Sequence, residues 1–237
     1  MSTINTIKRD LILDINNINF TSIISTSSGY SVVWNGKYKN IPCAIKMSIL
    51  NTGYHYDKDN NSFMNNKHST NGLCGLYGSL SKVFESDAHK PFYHTMFKNK
   101  RAISKRKFEL EVNNQEMIKD YAPAIYTYGI ISKDHIDYCF IVMELMDISL
   151  RRLLFRRLLS NDEIKILNAM LDSFHEKYFH GDLKCNNIAY KDKKFYILDC
   201  LTIKRHEGDC SLIAKDNRKL LKDWERTLKQ QSQNSHS

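Results

Sequence analysis

His180-Gly181-Asp182-Leu183-Lys184-Cys185-Asn186-Asn187 brings a carboxylate, an ammonium and a carboxamide together in one short run. The sequence on either side predicts that this run is a loop. Upstream, Ser160-Asn161-Asp162-Glu163 has the form of a capping box, with Ser160 as N-cap and Glu163 three residues on. The helix it opens carries Ile164, Leu167, Leu171 and Phe174 on one face and ends before His180. Downstream, Ile188-Ala189-Tyr190 and Phe195-Tyr196-Ile197-Leu198 read as short strands separated by Asp192-Lys193-Lys194. Polar side chains on a loop held between regular elements are where binding and catalysis concentrate.

Further out, residues 11 to 50 read as strands. Leu11, Leu13, Ile15, Ile18 and Phe20 alternate loosely, and Tyr30 to Trp34 and Ile41 to Met47 are β-rich runs with the turn signal Asn35-Gly36 between them, which predicts an antiparallel start. Asn51 to Asn71 is polar and without period, the mark of a long insertion. Gly72, Gly75 and Gly78 follow it without the strand, helix or Lys-Ser/Thr of a phosphate-binding loop. A helix is expected from Phe108 to Ile118, with Phe108, Val112, Gln115 and Ile118 along one stripe and Pro123 closing it. Strands at Ile125 to Ile131 and Tyr138 to Met143 come next, then a short basic helix from Leu150 to Leu159. A final helix places Leu220, Leu221, Trp224 and Leu228 on one buried face. Strands first and helices later predict an α+β protein in two parts.

Composition narrows the function classes. With 42% hydrophobic residues over 237 positions the chain can bury a substantial core. No apolar run reaches the roughly 18 residues of a membrane helix, and the polar Met1 to Asp10 lacks a signal-peptide core, so an intracellular protein, cytoplasmic or nuclear, is expected. The six cysteines form no C-x-x-C pair and no zinc-finger spacing, so reduced thiols are expected; His175 and His180 have no metal-site pattern around them. A net charge of +9 is concentrated in Lys98 to Arg101, Lys105 to Lys107 and Arg151 to Arg157. A basic face attracts acidic protein segments, nucleotides or nucleic acid; charge alone supports no choice of nucleic acid.

Phosphoryl transfer asks for a cation on the phosphates, oxygen ligands for Mg²⁺ and a base beside the incoming hydroxyl. Each has a candidate here. His180 to Asn187 resembles the catalytic loop H-R-D-L-x-x-x-N of protein kinases at every defined position except the second. The resemblance implies that Asp182 takes the proton of the substrate hydroxyl, that Lys184 neutralises the γ-phosphate and that Asn187 holds Mg²⁺. Asp199 lies 17 residues on (199 − 182), after the apolar strand, where the D-F-G aspartate of kinases chelates metal. Cys43-Ala44-Ile45-Lys46 resembles V-A-I-K, so Lys46 would meet the α- and β-phosphates, with Glu111 as its first-choice partner and Glu109 and Glu116 as runners-up. Ile141 to Met146 resembles the hinge, with Met143 as gatekeeper and backbone groups of Glu144 and Met146 on adenine.

The resemblance covers about residues 15 to 205 and implies a bilobal protein-kinase-like fold: a β-rich N-lobe over 1–143 with an insertion at about 51–104, and a hinge with a reduced helical C-lobe over 144–237. It implies an ATP-dependent Ser/Thr protein kinase using ATP and Mg²⁺ on a protein substrate, acidic to suit the basic clusters. Four departures stand out. Ser25 to Val33 occupies the place of the glycine-rich loop with one glycine, so Ser27, Ser28, Gly29 and Val33 are its phosphate-facing residues. D-F-G becomes Asp199-Cys200-Leu201, the arginine of H-R-D becomes Gly181, and only 36 residues (237 − 201) follow Leu201. The H-G-D variant resembles vaccinia-related kinases, RIO-like atypical kinases and aminoglycoside phosphotransferases, and the overall style resembles a compact kinase of a large DNA virus. The departures leave a second expectation open, a weak or inactive pseudokinase that acts as a binding or decoy module for a host protein. Phosphorylation of a small molecule is a third, disfavoured by Lys184.

Overall fold

The structure is a computed structural model and describes residues 18–25, 28–50, 54–57, 62–65, 102–133 and 136–234. The chain divides into two compact units, the first comprising Met1–Lys105 with Tyr126–Met143 and the second Arg106–Ile125 with Glu144–Ser237.

The first unit is built on a five-stranded antiparallel sheet. Strands β1 (Ile18–Ser25), β2 (Ser31–Tyr38) and β3 (Ile41–Ile49) form an antiparallel meander. The sheet order is β1-β2-β3-β7-β6, with β6 at Ile125–Lys133 and β7 at Ile136–Glu144. The expected antiparallel start is present, but its turn is elsewhere. Asn35-Gly36 lies inside β2, and the hairpin turns at Lys39-Asn40, whose φ values of 49° and 67° meet the demand of a two-residue turn for two left-handed residues. Gly36 serves a close approach instead: a Cβ there would lie 2.3 Å from the Asn19 carbonyl oxygen on β1. The core is apolar and aromatic, with Val32, Trp34, Ile45, Met47, Phe140 and Val142 buried and Phe20 set edge-on to Trp34 at 5.8 Å.

Within the insertion, strands β4 (Tyr54–Asp57) and β5 (Ser62–Asn65) pair antiparallel, and Leu50 bridges Ile103 where the chain returns. Leu11 to Ile15, Ser27, Cys74, Gly72, Gly75, Gly78 and the Lys98 to Arg101 cluster fall outside the described residues.

In the second unit, helix α1 (Lys105–Met117) buries Phe108, Val112 and Gln115, and Ile118 just past its end is buried too, so the predicted stripe is the inner face. The helix joins the second unit rather than the strands that flank it in sequence. Asn114 donates from Nδ2 to the carbonyls of Cys200 at 2.8 Å and Ile203 at 3.1 Å, and the Tyr121 carbonyl accepts the N–H of Ile197 at 2.6 Å.

Helix α2 (Leu150–Arg156) follows the short β8 (Ile148–Ser149) and is capped by Ser149. Helix α3 (Asn161–His175) starts on the predicted capping box: Ser160 Oγ accepts the Glu163 N–H and Glu163 Oε2 accepts the Ser160 N–H at 2.9 Å. Leu167, Leu171 and Phe174 turn inward, but Ile164 remains 38% exposed because Glu163 takes the buried position in that turn. Strand β9 (Tyr178–Phe179) precedes the His180 run; β10 (Ile188–Lys191) and β11 (Lys194–Ile197) follow it as a hairpin turning at Asp192-Lys193; β12 (Lys204–Arg205) pairs with β9. Helix α4 (Cys210–Asn234) is far longer than its apolar spacing predicts. Leu220 is buried while Leu221 is 60% exposed, so the inward face runs through Leu220, Trp224 and Leu228. Among the described residues no helix is long and apolar enough to cross a membrane.

Candidate active site

Burial alternates along the loop and thereby aims its polar groups. Leu183 and Cys185 are fully buried while Asp182 and Lys184, between and beside them, are partly exposed. The apolar pair anchors the loop in the core and leaves the carboxylate and ammonium at the surface. Lys184 Nζ donates to Asp182 Oδ2 at 2.7 Å, and Asn187 Nδ2 donates to the Asp182 carbonyl at 3.0 Å. That bond engages the amide nitrogen of Asn187 and leaves the acceptor role to its oxygen.

The next turn of chain is tied to this loop from both sides. The Leu198 N–H donates to the Asn187 carbonyl at 2.8 Å, while the Leu198 carbonyl meets His180 Nε2 at 2.8 Å. His180 Nδ1 accepts the Asp182 N–H at 3.2 Å, which assigns the ring proton to Nε2. Asp199 follows Leu198 directly. Its φ of 57° is left-handed, a conformation costly for a residue with a side chain and common at functional positions. Beyond it a 3₁₀ turn, Cys200–Thr202, is held by Asn114.

Three groups that sequence reasoning passed over come from α4. Asp216 is completely buried and its carboxylate accepts the N–H groups of His180 at 2.5 Å and Gly181 at 3.0 Å. Burial pushes this carboxyl up, but interaction with the His175 ring and the His180 N–H bond outweigh it and hold it below the ordinary aspartate value. His175 Nε2 stands 3.7 Å away, beyond hydrogen-bond range, so the backbone N–H groups are the firmer partners. Asp223 Oδ2 accepts the Cys185 N–H at 2.9 Å. Lys219 Nζ donates to the Gly181 carbonyl and lies 3.8 Å from Asp182 Oδ1. The available signal was an acid at every seventh position, 216 and 223, on a helix whose apolar residues lie to one side.

Gly181 now has a physical reason. Its φ is +79°, and a Cβ would sit 3.2 Å from the Thr202 carbonyl oxygen. No arginine fits there without rearrangement.

The other predicted residues fall on separate elements. Lys46 is half-buried on β3 between fully buried Ile45 and Met47, and in register opposite Val33 on β2. Ser28 Oγ accepts the N–H groups of Tyr30 and Ser31, each at 3.2 Å; Gly29 has open space around it. On α1, Glu111 is buried, whereas Glu109 and Glu116 are exposed. Met143 ends the buried run of β7. The Glu144 N–H is taken by the Ala124 carbonyl at 2.9 Å and its carboxylate by Lys191 at 2.7 Å; Met146 is half-buried beyond it.

Magnesium is commonly held by one or two protein oxygens together with substrate phosphates. The hard-oxygen groups that could hold it here are the Asn187 amide and the Asp199 carboxylate, which the bond from the Leu198 N–H to the Asn187 carbonyl keeps on adjoining stretches of chain. A groove of about 280 Å³ lined by Asn168, Leu171, Asp172, Asn217, Leu220, Leu221 and Trp224 contains none of these groups. Cys43, Cys139, Cys185, Cys200 and Cys210 are free thiols.

No protein-family model matches the chain, and no curated protein matches its sequence.

Proposed function

We propose that the chain is an ATP-dependent Ser/Thr protein kinase of the protein-kinase-like fold, which transfers the γ-phosphate to a protein hydroxyl. The observation that carries this is the Asp182 carboxylate: half-exposed, in contact with Lys184, and mounted on a loop whose backbone is fixed by Asp216, Asp223 and the His180–Leu198 bond. A charge held at the surface by a buried scaffold suits a group that receives a substrate, because its position is set in advance.

In this reading Asp182 orients the serine or threonine hydroxyl and takes its proton as the hydroxyl oxygen bonds to the γ-phosphorus and the bond to ADP breaks. The proton then leaves to solvent. Lys184, its ammonium 2.7 Å from Asp182 Oδ2, would balance charge on the moving phosphoryl group. Asn187 and Asp199 would hold magnesium, which would supply charge neutralisation of the phosphates. Lys46 on the α- and β-phosphates with Glu111 as its partner, Ser27 to Gly29 and Val33 over the phosphates, and Glu144 and Met146 beside adenine rest on the resemblance alone.

A second reading, a pseudokinase that binds a protein partner, is favoured by one observation. Ser28 satisfies the N–H groups of Tyr30 and Ser31 from within the loop, and these are donors a phosphate would otherwise use.

The test is Mg-ATP-dependent thermal shift and phosphate incorporation for the wild type beside Asp182→Ala and Lys46→Ala. Nucleotide-dependent stabilisation with incorporation lost in Asp182→Ala is expected. No stabilisation, and equal incorporation in all three proteins, overturns the kinase reading. Stabilisation without turnover favours the second.

A further inference from the structure

Helix α4 presents more than the anchors of the loop. At about 100° per residue, Asp216 and Asp223 lie on one side of Lys219, and Lys215, Lys222, Arg226 and Lys229 lie within roughly 80° on the other. Lys215, Lys222, Arg226 and Lys229 are exposed, and Glu225, the exposed carboxylate of this stretch, falls off the stripe. The loop-facing edge of α4 is therefore bordered by a continuous row of cations, and its innermost member, Lys219, stands 3.8 Å from Asp182 Oδ1 with its side chain 41% exposed.

We propose that this row is the docking rail for an acidic segment of the protein substrate, with Lys219 reading the carboxylate nearest the acceptor hydroxyl. The reading deepens the kinase assignment by naming its substrate class. Only the transfer step depends on that assignment; the docking does not.

Three observations favour an acidic peptide. Lys215 to Arg226 spans roughly 16 Å, the length of about five residues of extended chain. The row passes the carboxylate that would receive the hydroxyl, so an acid beside the acceptor meets Lys219 while its neighbours meet Lys222 and Arg226. The stripe also has no aromatic residue: Trp224 packs on the core side of α4, so the stacking that binds single-stranded nucleic acid is missing there. Lys219 of α4 thus adds a second cation beside the Asp182 carboxylate, which already holds Lys184 of its own loop.

The experiment measures binding of a fluorescent peptide, a serine flanked on both sides by aspartates, to the full chain without nucleotide. Its twin carries asparagines. The expected result is binding of the acidic peptide only, weakened at least about tenfold by the double reversal Lys222→Glu/Arg226→Glu and unchanged by Arg152→Glu/Arg156→Glu on α2. With Mg-ATP, the α4 reversal raises KM for the acidic peptide and leaves kcat in place. Equal binding of both peptides, equal weakening by the two reversals, or tighter binding of a single-stranded oligonucleotide than of the acidic peptide overturns the proposal. Selective, reversal-sensitive binding without any phosphate transfer upholds the rail and removes the kinase; transfer to both peptides with equal KM removes the rail and keeps the kinase.

Discussion

The buried carboxylate of Asp216 receives the backbone N–H of His180 at 2.5 Å, and this one bond ties the start of the Asp182 loop to the middle of a different helix. The same carboxylate holds the Gly181 N–H. Hydrogen bonds to a charged acceptor contribute about 1.5–3 kcal/mol each, and removing the acceptor leaves two N–H groups without it. Asp216→Ala is expected to lower unfolding stability by roughly 3 kcal/mol, read as the midpoint shift in urea. Asp216→Asn keeps the shape but offers one oxygen in place of two, and its stability should fall between those of Ala and wild type.

Asp182→Asn should separate chemistry from stability. The side chain is 44% exposed and its carboxylate stands beside two exposed ammonium groups, so little is buried that its loss would uncover. Unfolding free energy is expected to change by less than about 0.5 kcal/mol, as for most surface replacements. Phosphate incorporation should fall by about 10² or more, the usual share of a positioned base. A loss of stability equal to that of Asp216→Ala would show that Asp182 is a structural residue.

What the sequence made legible was local. The capping box at Ser160, the β-rich runs of β2 and β3 and the stripe of α1 rest on neighbours in the chain, and each is present. Asn35-Gly36 misleads because two causes select glycine: a turn, and a close approach such as that of β1 to β2. Asp216, Lys219 and Asp223 were not legible as site residues because their partners, His180 to Cys185, lie some 35 positions away and are backbone groups without a sequence signature. The helix α1 reads correctly as a helix, yet its place with the second unit depends on Asn114 meeting the carbonyls of Cys200 and Ile203, which no periodicity encodes.

Acid sensitivity should come partly from the start of α3. Arg157 grips Glu163 through both carboxylate oxygens, at 2.6 and 2.7 Å, and this holds the Glu163 carboxyl down at about 2. A folded value below the unfolded one of about 4.3 means stability that is whole above that pH and is lost as pH falls toward 2. Urea unfolding of the wild type should therefore weaken between pH 5 and 3, values spanning the unfolded range of about 4.3. Glu163→Gln retains the capping-box geometry without the charge, so its stability should be lower at pH 6 and flatter with pH. Asp216, depressed in the same direction, leaves the variant a residual slope.

Thiol chemistry offers an independent check of burial. Desolvation pushes the Cys43 thiol up to about 11 and, with Asp223 beside it, the Cys185 thiol up to about 12. Thiolate is the reactive form, so both should resist iodoacetamide at pH 8 in the native protein. Cys210 is exposed at the start of α4 and should be modified before either of them. Peptide mapping after timed labelling gives the order; modification of Cys185 at the rate of Cys210 would contradict its place under the loop.

Two glycines of the first unit should respond in opposite ways to alanine. At Gly36 a methyl group would meet the Asn19 carbonyl oxygen at 2.3 Å and Ile45 Cδ1 at 2.6 Å. One neighbour is backbone and cannot swing aside, so β1 must move away from β2, and a cost of about 2 kcal/mol or more is expected, in the range of overpacked cores. At Gly29 nothing lies within 4 Å of the added carbon. Gly29→Ala should leave stability unchanged or raise it by up to about 1 kcal/mol, because alanine narrows the unfolded ensemble. If the loop closes over a nucleotide, that same methyl group stands between backbone and phosphate, and the Mg-ATP-dependent thermal shift should shrink while the melting temperature without nucleotide does not. An undiminished shift in Gly29→Ala would place the phosphates elsewhere, since Ser28 has already drawn the N–H groups of Tyr30 and Ser31 to itself and Gly29 is the position left for close backbone approach.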